Sequence, residues 1–377
     1  MARKTGRLGV RALLKWAHTW TGLLAGLVIA VVSLTGSVIV FRSEIEGARI
    51  PKGASGPTAA GLDEIALQVA TSNPGVRIRR LRFPEHAGDP YIVQVDASGE
   101  TRRLVCEAST GRVIATLNAG WVEWTIDLHR NLLAAKTGRK AVGVAGIVLF
   151  TLAASGMLLW LGGARQWRSW ISVRPQGGTR RFHFELHRAA GLWSYALLTL
   201  VGFTGIGLAY PDTFRSALHF LTGQPASSKA PVVRKPEAAL LRPLSEYLRA
   251  GTGAMADGVP IELRLPDGEK GPVDLRLHRS GDLSPSGNHV YIEPSTGKVL
   301  AVSRAADQPL AARIFAALAP LHYGEFGGLP VKVIWGLPGL VPALLFVTGL
   351  MTWWPAKQRK TATVLEEDLT LVACAQR

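Results

Sequence analysis

Charge is scarce in this sequence: only 19% of its 377 residues are charged, against 47% hydrophobic, and positive mean hydropathy follows. Composition of that kind points to a membrane protein and away from a soluble domain. Negative charge is the scarcer sign, with 27 Asp and Glu to 43 Lys and Arg, a net charge of +16. The placement of the excess argues against a nucleic-acid partner. Arg3, Lys4, Arg7, Arg11 and Lys15 precede the first apolar run, and Arg165, Arg168, Arg174, Arg180 and Arg181 fall between the second and third. Basic residues so placed set membrane topology. Cysteine is scarcer still: Cys106 and Cys374 have no metal-knuckle spacing, and the topology puts them on opposite sides of the membrane, which argues against a disulfide. No nucleotide-binding glycine fingerprint and no flavin motif is present, so any redox chemistry needs an external donor.

What is abundant is apolar sequence in long pieces. Residues 19–41, 141–161, 189–210 and 333–354 are uncharged throughout, and about 20 such residues cross a bilayer. The first run lacks a clear small-residue cleavage site and reads as a retained anchor. The basic clusters, with Lys357, Arg359 and Lys360, put both termini in the cytoplasm and the long intervening regions outside, which for a bacterial inner membrane is the periplasm. Trp160, Trp167, Trp170, Trp353 and Trp354 gather at the inner interface.

The expected layout has an inner N-terminus (1–17), a first span (18–41) and an outer module (42–128). An outer helix with the second span (129–161) and an inner basic loop (162–187) come next. A third span (188–210), a second outer module (211–321), an outer segment with the fourth span (322–354) and an inner tail (355–377) complete it.

Each outer region carries a helical stretch, "LDEIALQVA" or "LSEYLRA", and then alternating strands: "YIVQVDA", "RRLVCEA" and "GRVIATL" in the first, "VPIELRLP", "VDLRLHR", "HVYIEP" and "GKVLAVS" in the second. The turns "EASTGRVI" and "EPSTGKVL" match. The expected fold is a four-helix membrane bundle built as a tandem repeat, with two periplasmic α+β modules.

The spans repeat too. The stretches His18 to Phe41 and His187 to Tyr210 agree at the His, at Gly22 and Gly191, at Thr35-Gly36 and Thr204-Gly205, and in the closing aromatic. "LHR" around His129 and "LHY" around His322 are each followed by a Gly 27 residues on, Gly156 or Gly349, and a Trp 31 residues on, Trp160 or Trp353. Repeats of one orientation are related by an axis along the membrane normal. This brings His18 toward His187 at the inner face and His129 toward His322 at the outer face.

Paired imidazoles in a helical bundle suit axial ligation of haem iron. Glycines such as Gly22, Gly26, Gly191, Gly205 and Gly349 give room for a flat macrocycle or for close helix contact, and the sequence does not separate the two. Zinc would want three or four ligands. A proton path is the other competitor, but no Asp, Glu, Lys or Arg lies within the four spans. His183, four residues before His187 in "HFELH", is an alternative ligand, a propionate partner or an interfacial residue. His129 lies twelve residues before Ala141, so a short outer helix and a bend are expected to fold it back. Arg130, Lys136, Arg139 and Lys140 form an outer basic rim for propionates or an anionic ligand, or are ordinary membrane-edge charge. His86, His219, His278 and His289 have no repeat partner and read as surface or packing residues.

The combination of His, Gly and Thr-Gly in one span with "LHR…TGRKAVGVAGIVLFTLAASGMLLW" in the next, joined through an "EASTGRVI" turn, resembles the PepSY-associated transmembrane family of iron-regulated inner-membrane proteins, from about His18 to Trp354. The resemblance implies two b-type haems held by His18, His187, His129 and His322. It further implies reduction of a ferric siderophore, of the ferrioxamine type, in the periplasm. Quinol or another external donor would supply the electron. The alternative is a membrane-anchored PepSY-type binding or regulatory protein without redox activity.

Overall fold

The computed structural model describes residues 9–50, 61–86, 88–97, 99–117, 120–161, 171–174, 176, 178–225, 231, 233, 242–266, 271–284 and 287–354. Arg3, Lys4, Arg7, Arg165, Trp167, Arg168, Trp170, Lys357, Arg359, Lys360 and Cys374 lie outside the described residues.

The helices are α1 (Val10–Ile39), α2 (Arg42–Arg49), α3 (Leu62–Ser72), α4 (Trp121–Asn131), α5 (Ala135–Leu161), α6 (Thr179–Ala209), α7 (Pro211–Thr222), α8 (Leu244–Ala254), α9 (Leu310–Tyr323) and α10 (Gly328–Trp354). The strands are β1 (Arg77–Arg82), β2 (Tyr91–Ala97), β3 (Glu100–Cys106), β4 (Val113–Leu117), β5 (Val259–Arg264), β6 (Val273–His278), β7 (Asn288–Ile292) and β8 (Val299–Ser303). They form two compact units: one of Met1–Phe41, Val122–Tyr210 and Leu321–Arg377, the other of Arg42–Trp121 and Pro211–Pro320.

In the first unit α1, α5, α6 and α10 are long and apolar enough to cross a membrane, and the chain is a multi-pass membrane protein. Without a hydrophobic drive between helices in lipid, close backbone approach at small residues has to hold such a bundle, and glycines mark every contact. Gly22 of α1 faces Leu152 of α5, and Gly146 of α5 faces Ile206 of α6. Gly191 of α6 faces Leu345 of α10, and Gly26 of α1 takes the ring of Phe346. Polar contacts reinforce the seams: Ser37 Oγ donates to the Gly336 carbonyl (2.9 Å) and Tyr210 Oη to the Lys140 carbonyl (2.6 Å).

The helices outrun the apolar runs. α1 starts at Val10 and takes in Arg11 and Lys15, and α6 starts at Thr179 and takes in His183, Glu185 and His187.

Between α4 and α5 the chain turns through three residues in the left-handed region, Leu132 (φ 49°), Leu133 (59°) and Ala135 (47°). L-residues rarely hold that conformation, at about 1–3 kcal/mol each. The corner between α9 and α10 uses Gly324 and Gly328 at φ 70° and 63° instead. Each corner turns the chain back after a short helix that ends two residues or fewer beyond a histidine, His129 or His322.

The second unit holds one eight-stranded antiparallel sheet, in the order β4-β3-β2-β1-β5-β6-β7-β8. The two α+β modules expected from the sequence do not keep separate sheets: β1 and β5 pair edge to edge, Leu81 opposite Leu263, and join the strands into one. α3 and α8 lie against it. Ile65 and Val69 of α3 and Leu244 and Tyr247 of α8 share one buried core with Leu81, Val93, Val95, Leu263, Leu275 and Ile292. The two helices are tied by the Ser245 amide, which donates to Asp63 (3.2 Å).

The two STG turns are alike to the atom. Glu107 N–H donates to the Arg112 carbonyl and Glu293 N–H to the Lys298 carbonyl, both at 2.9 Å. Thr110 and Thr296 each donate to the preceding Glu at 2.6 Å. Gly111 and Gly297 take φ 72° and 71°.

Candidate functional site

The four repeated histidines come together two by two in the membrane unit. The ring centroids of His18 on α1 and His187 on α6 are 6.3 Å apart, with ring planes at 89°. Those of His129 on α4 and His322 on α9 are 6.2 Å apart, at 52°. For two imidazoles on opposite sides of one iron, a metal–nitrogen bond of about 2 Å and about 1.1 Å more to each ring centre give a centroid separation of about 6.2 Å. The pairs lie far apart: His18 and the Gly36 that touches His129 are 18 residues apart on one helix, about 27 Å at 1.5 Å per residue. That span matches a hydrocarbon core of about 30 Å.

Each imidazole sits against a Ser-Gly or Thr-Gly dipeptide of a neighbouring helix. His18 Nδ1 meets Ser155 Oγ at 2.8 Å, and its Cε1 faces Gly156. His187 Nδ1 meets the Leu345 carbonyl at 2.9 Å and Thr348 Oγ1 at 3.1 Å, and its Cε1 faces Gly349. His129 Nδ1 meets the Val32 carbonyl at 2.8 Å and Thr35 Oγ1 at 3.5 Å, against Gly36. His322 Nδ1 meets Thr204 Oγ1 at 3.0 Å, with the Val201 carbonyl as a further acceptor, against Gly205.

The hydroxyl protons are already committed to carbonyls of their own helices: Ser155 to Leu152, Thr35 to Val31, Thr204 to Leu200 and Thr348 to Leu344. The hydroxyl oxygens must therefore accept, so the ring proton sits on Nδ1 and Nε2 keeps its lone pair. A metal-ligating histidine is oriented and made more basic in this way.

Burial, helped by the neighbouring His129, pushes the His322 imidazole down to about 3. Burial likewise lowers His129, against the Val32 carbonyl, which raises it. Both rings are neutral at physiological pH, as a ligand must be.

The residues fit haem. A Cβ at Gly36 or Gly205 would press on the ring, 3.0 and 3.2 Å from its Cε1, whereas at Gly156 or Gly349 it would only touch it; among the described residues no three of His, Cys, Asp and Glu form a metal group. Among the described residues five buried side-chain polar atoms have no partner, His183 Nδ1 and Trp160 Nε1 among them. His183 lies one turn before His187, and Trp160 one turn after Gly156.

The outer basic rim divides. Arg139 caps α6, donating to the Leu208 and Ala209 carbonyls (2.7 and 3.2 Å), whereas Arg130, Lys136 and Lys140 are exposed. The other histidines stay apart from the pairs. His219 Nδ1 meets the Gln224 carbonyl at 2.9 Å, His278 is buried at Nδ1, His86 is exposed, and His289 pairs with Asp274 at 2.9 Å and stacks on Tyr291. In the sequence the Thr-Gly dipeptides mark the repeat; that they seat the histidines shows only in the structure. The available signal was that Ser155-Gly156 and Thr348-Gly349 complete a set of four, one for each histidine.

A family model described as the PepSY-associated TM region matches residues 15–356. Among individual proteins, the chain is similar to the uncharacterized protein PA4219 of Pseudomonas aeruginosa, 28% identical over an alignment of 257 residues that covers 60% of this chain and 62% of that relative.

Proposed function

The chain belongs to the PepSY-associated TM family, and on that premise we propose that it is a di-haem b electron-transfer protein of a bacterial inner membrane, with both termini cytoplasmic, that reduces ferric siderophore in the periplasm. The tandem repeat belongs to the proposal: each half contributes one imidazole to each pair. The observation that carries it is the 6.3 and 6.2 Å separation of two facing imidazole pairs with committed Nδ1 protons. His18 and His187 would hold one haem and His129 and His322 the other, with His183 an alternative to His187 or a partner for propionate. Held between two imidazoles, haem would supply one-electron transfer and not oxygen chemistry.

The protein's own part is to hold four rings at fixed separation in a low-dielectric bundle and to keep Nε2 unprotonated. Hard oxygen ligands release ferrous iron far more readily than ferric. One electron per ferric chelate therefore frees the metal and leaves the ligand intact. A quinol, giving two electrons and two protons, would serve two chelates, and any other external one-electron donor would serve equally.

The test is an absorption spectrum of detergent-purified protein before and after dithionite. Ferric siderophore is then added with a ferrous trap present. The proposal expects b-type bands that reoxidise as ferrous iron appears. Folded, colourless protein would overturn it and leave a membrane-anchored binding or regulatory role.

A further inference from the structure

The four seats are not equivalent, and the exception is Ser155. Three imidazoles have a peptide carbonyl as partner: His129 Nδ1 that of Val32, His187 Nδ1 that of Leu345, and His322 that of Val201. In each case the carbonyl belongs to the residue three before the seat's threonine. His18 reaches none. Among the described residues its only Nδ1 partner is Ser155 Oγ at 2.8 Å; the equivalent carbonyl, that of Leu152, accepts the serine hydroxyl at 3.1 Å, as the Val32, Val201 and Leu345 carbonyls accept their threonines', but does not also take the imidazole. A peptide carbonyl is backed by a second acceptor in the three threonine seats. The serine seat has a single acceptor, and it can be deleted by one substitution.

We propose that Ser155 is the positioning residue that sets the reduction potential of the His18–His187 site, acting through His18 and independently of the His129–His322 site. This rests on the haem reading above. The chemistry is that of an imidazole ligand whose Nδ1–H is shared with an acceptor. The stronger the acceptor, the more electron density reaches Nε2, and the more the ferric state is favoured over the ferrous. Taking the acceptor away leaves a buried N–H with no partner and a poorer donor to iron, so the potential rises. The hydroxyl also fixes the plane of the His18 ring, which stands at 89° to that of His187, and that angle is read directly in the magnetic resonance of a ferric bis-imidazole centre.

The experiment is spectroelectrochemical titration and low-temperature electron paramagnetic resonance of the full-length purified holoprotein, as wild type, S155A, S155C and S155T. S155A is expected to raise one of the two couples about tenfold in its reduction equilibrium, about 59 mV for one electron, and to shift the resonance of that centre alone. S155C, whose sulfur is a weak acceptor, should move the same couple part of the way, and S155T should leave it at or below the wild-type value. If S155A fails to load haem, the difference between S155C and S155T decides. Unmoved couples, equal movement of both couples, or an S155T shift as large as that of S155C would each overturn the proposal. Wild-type protein with no haem would instead overturn the underlying function.

Discussion

The seats make a graded prediction that no pattern of hydrophobicity would make. A methyl group at Gly36 would stand 3.0 Å from His129 Cε1, at Gly205 3.2 Å from His322 Cε1, at Gly156 3.4 Å from His18 Cε1, and at Gly349 3.5 Å from His187 Cε1. Carbon atoms rest at about 3.5–4.0 Å, so Gly349→Ala and Gly156→Ala place the methyl at or just inside contact, whereas Gly36→Ala must push its ring by about half an ångström. That is the limit at which a ligand constellation still works, about 0.5 Å. Overpacking of this kind costs about 1–3 kcal/mol, which at about 1.4 kcal/mol per tenfold means about 5- to 150-fold weaker retention of a group at the His129–His322 pair. Alanine is at the same time the better helix former, by up to about 1 kcal/mol, so G156A and G349A should fold as well as wild type or better. The assay is the haem-to-protein ratio with reduced-minus-oxidised spectra, beside the melting temperature of each variant. The expected order of loss is G36A, then G205A, with G156A and G349A near wild type. Equal loss in all four, or full retention by G36A with an unchanged spectrum, would refute the steric account of the seats.

Replacing one histidine should empty a site shared by both halves. H18A and H187A are expected to remove the same spectral component and H129A and H322A the other, and a different component lost by each member of a pair would contradict the pairing. At the α4–α5 corner a Cβ on Gly138 would fall 1.6 Å from the Asn131 carbonyl oxygen. Gly138→Ala should therefore lower the melting temperature and perturb the His129 site, and a neutral result would mean the corner is not as described. In the sheet, burial raises the Asp274 carboxyl, but His289 and Arg276 outweigh it and hold the group below its ordinary value. Its contribution to stability is thus complete above the unfolded value of about 3.9 and is lost as pH falls below it through the folded value. D274N should flatten the acid limb of the melting curve in that window, and an unchanged acid limb would show that the pair with His289 is not formed.

The membrane bundle and most strands were legible because period and repetition both survive in the sequence. Four uncharged runs can hardly be anything but spans, and a histidine recurring with its glycines at fixed spacing identifies itself. What escaped did so for physical reasons. β1 reads "RIRRLR", and a register shift between Ile78 and Arg80 puts its apolar residues out of alternation, so no period-two pattern announces it. It is nonetheless the strand that joins the two halves of the sheet. The corner at Leu132, Leu133 and Ala135 carries no glycine at its left-handed residues, where its counterpart carries two, so only the second corner was marked by residue type. The seats escaped because a hydroxyl and a glycine side by side in a span look like ordinary helix contact until the histidine opposite is placed.

The junction of β1 and β5 turns that escaped strand into a prediction of its own. The pairing sets Arg80 opposite Arg264 and Arg82 opposite Glu262, so corresponding positions of the two halves meet, as in a self-complementary two-fold contact. Were the halves identical here, four arginines would crowd the seam, and like charges directly opposite destabilise a sheet. Glu262 breaks the identity. Its carboxylate, only 12% exposed, takes Arg80 Nε at 3.0 Å and also Arg264 Nε. The two guanidinium side chains are 41% and 32% exposed, so solvent screens part of the attraction. Removing the carboxylate while both cations remain should cost about 1–3 kcal/mol, the range of a charged hydrogen bond lost from a partly buried site. E262Q is expected to lower the melting temperature, and R80Q placed in the E262Q background should recover part of the loss, because it removes one of the two facing cations. An E262Q protein as stable as wild type, or a double variant less stable than E262Q alone, would show that the seam is held by Leu81 against Leu263 and the backbone ladder without help from charge.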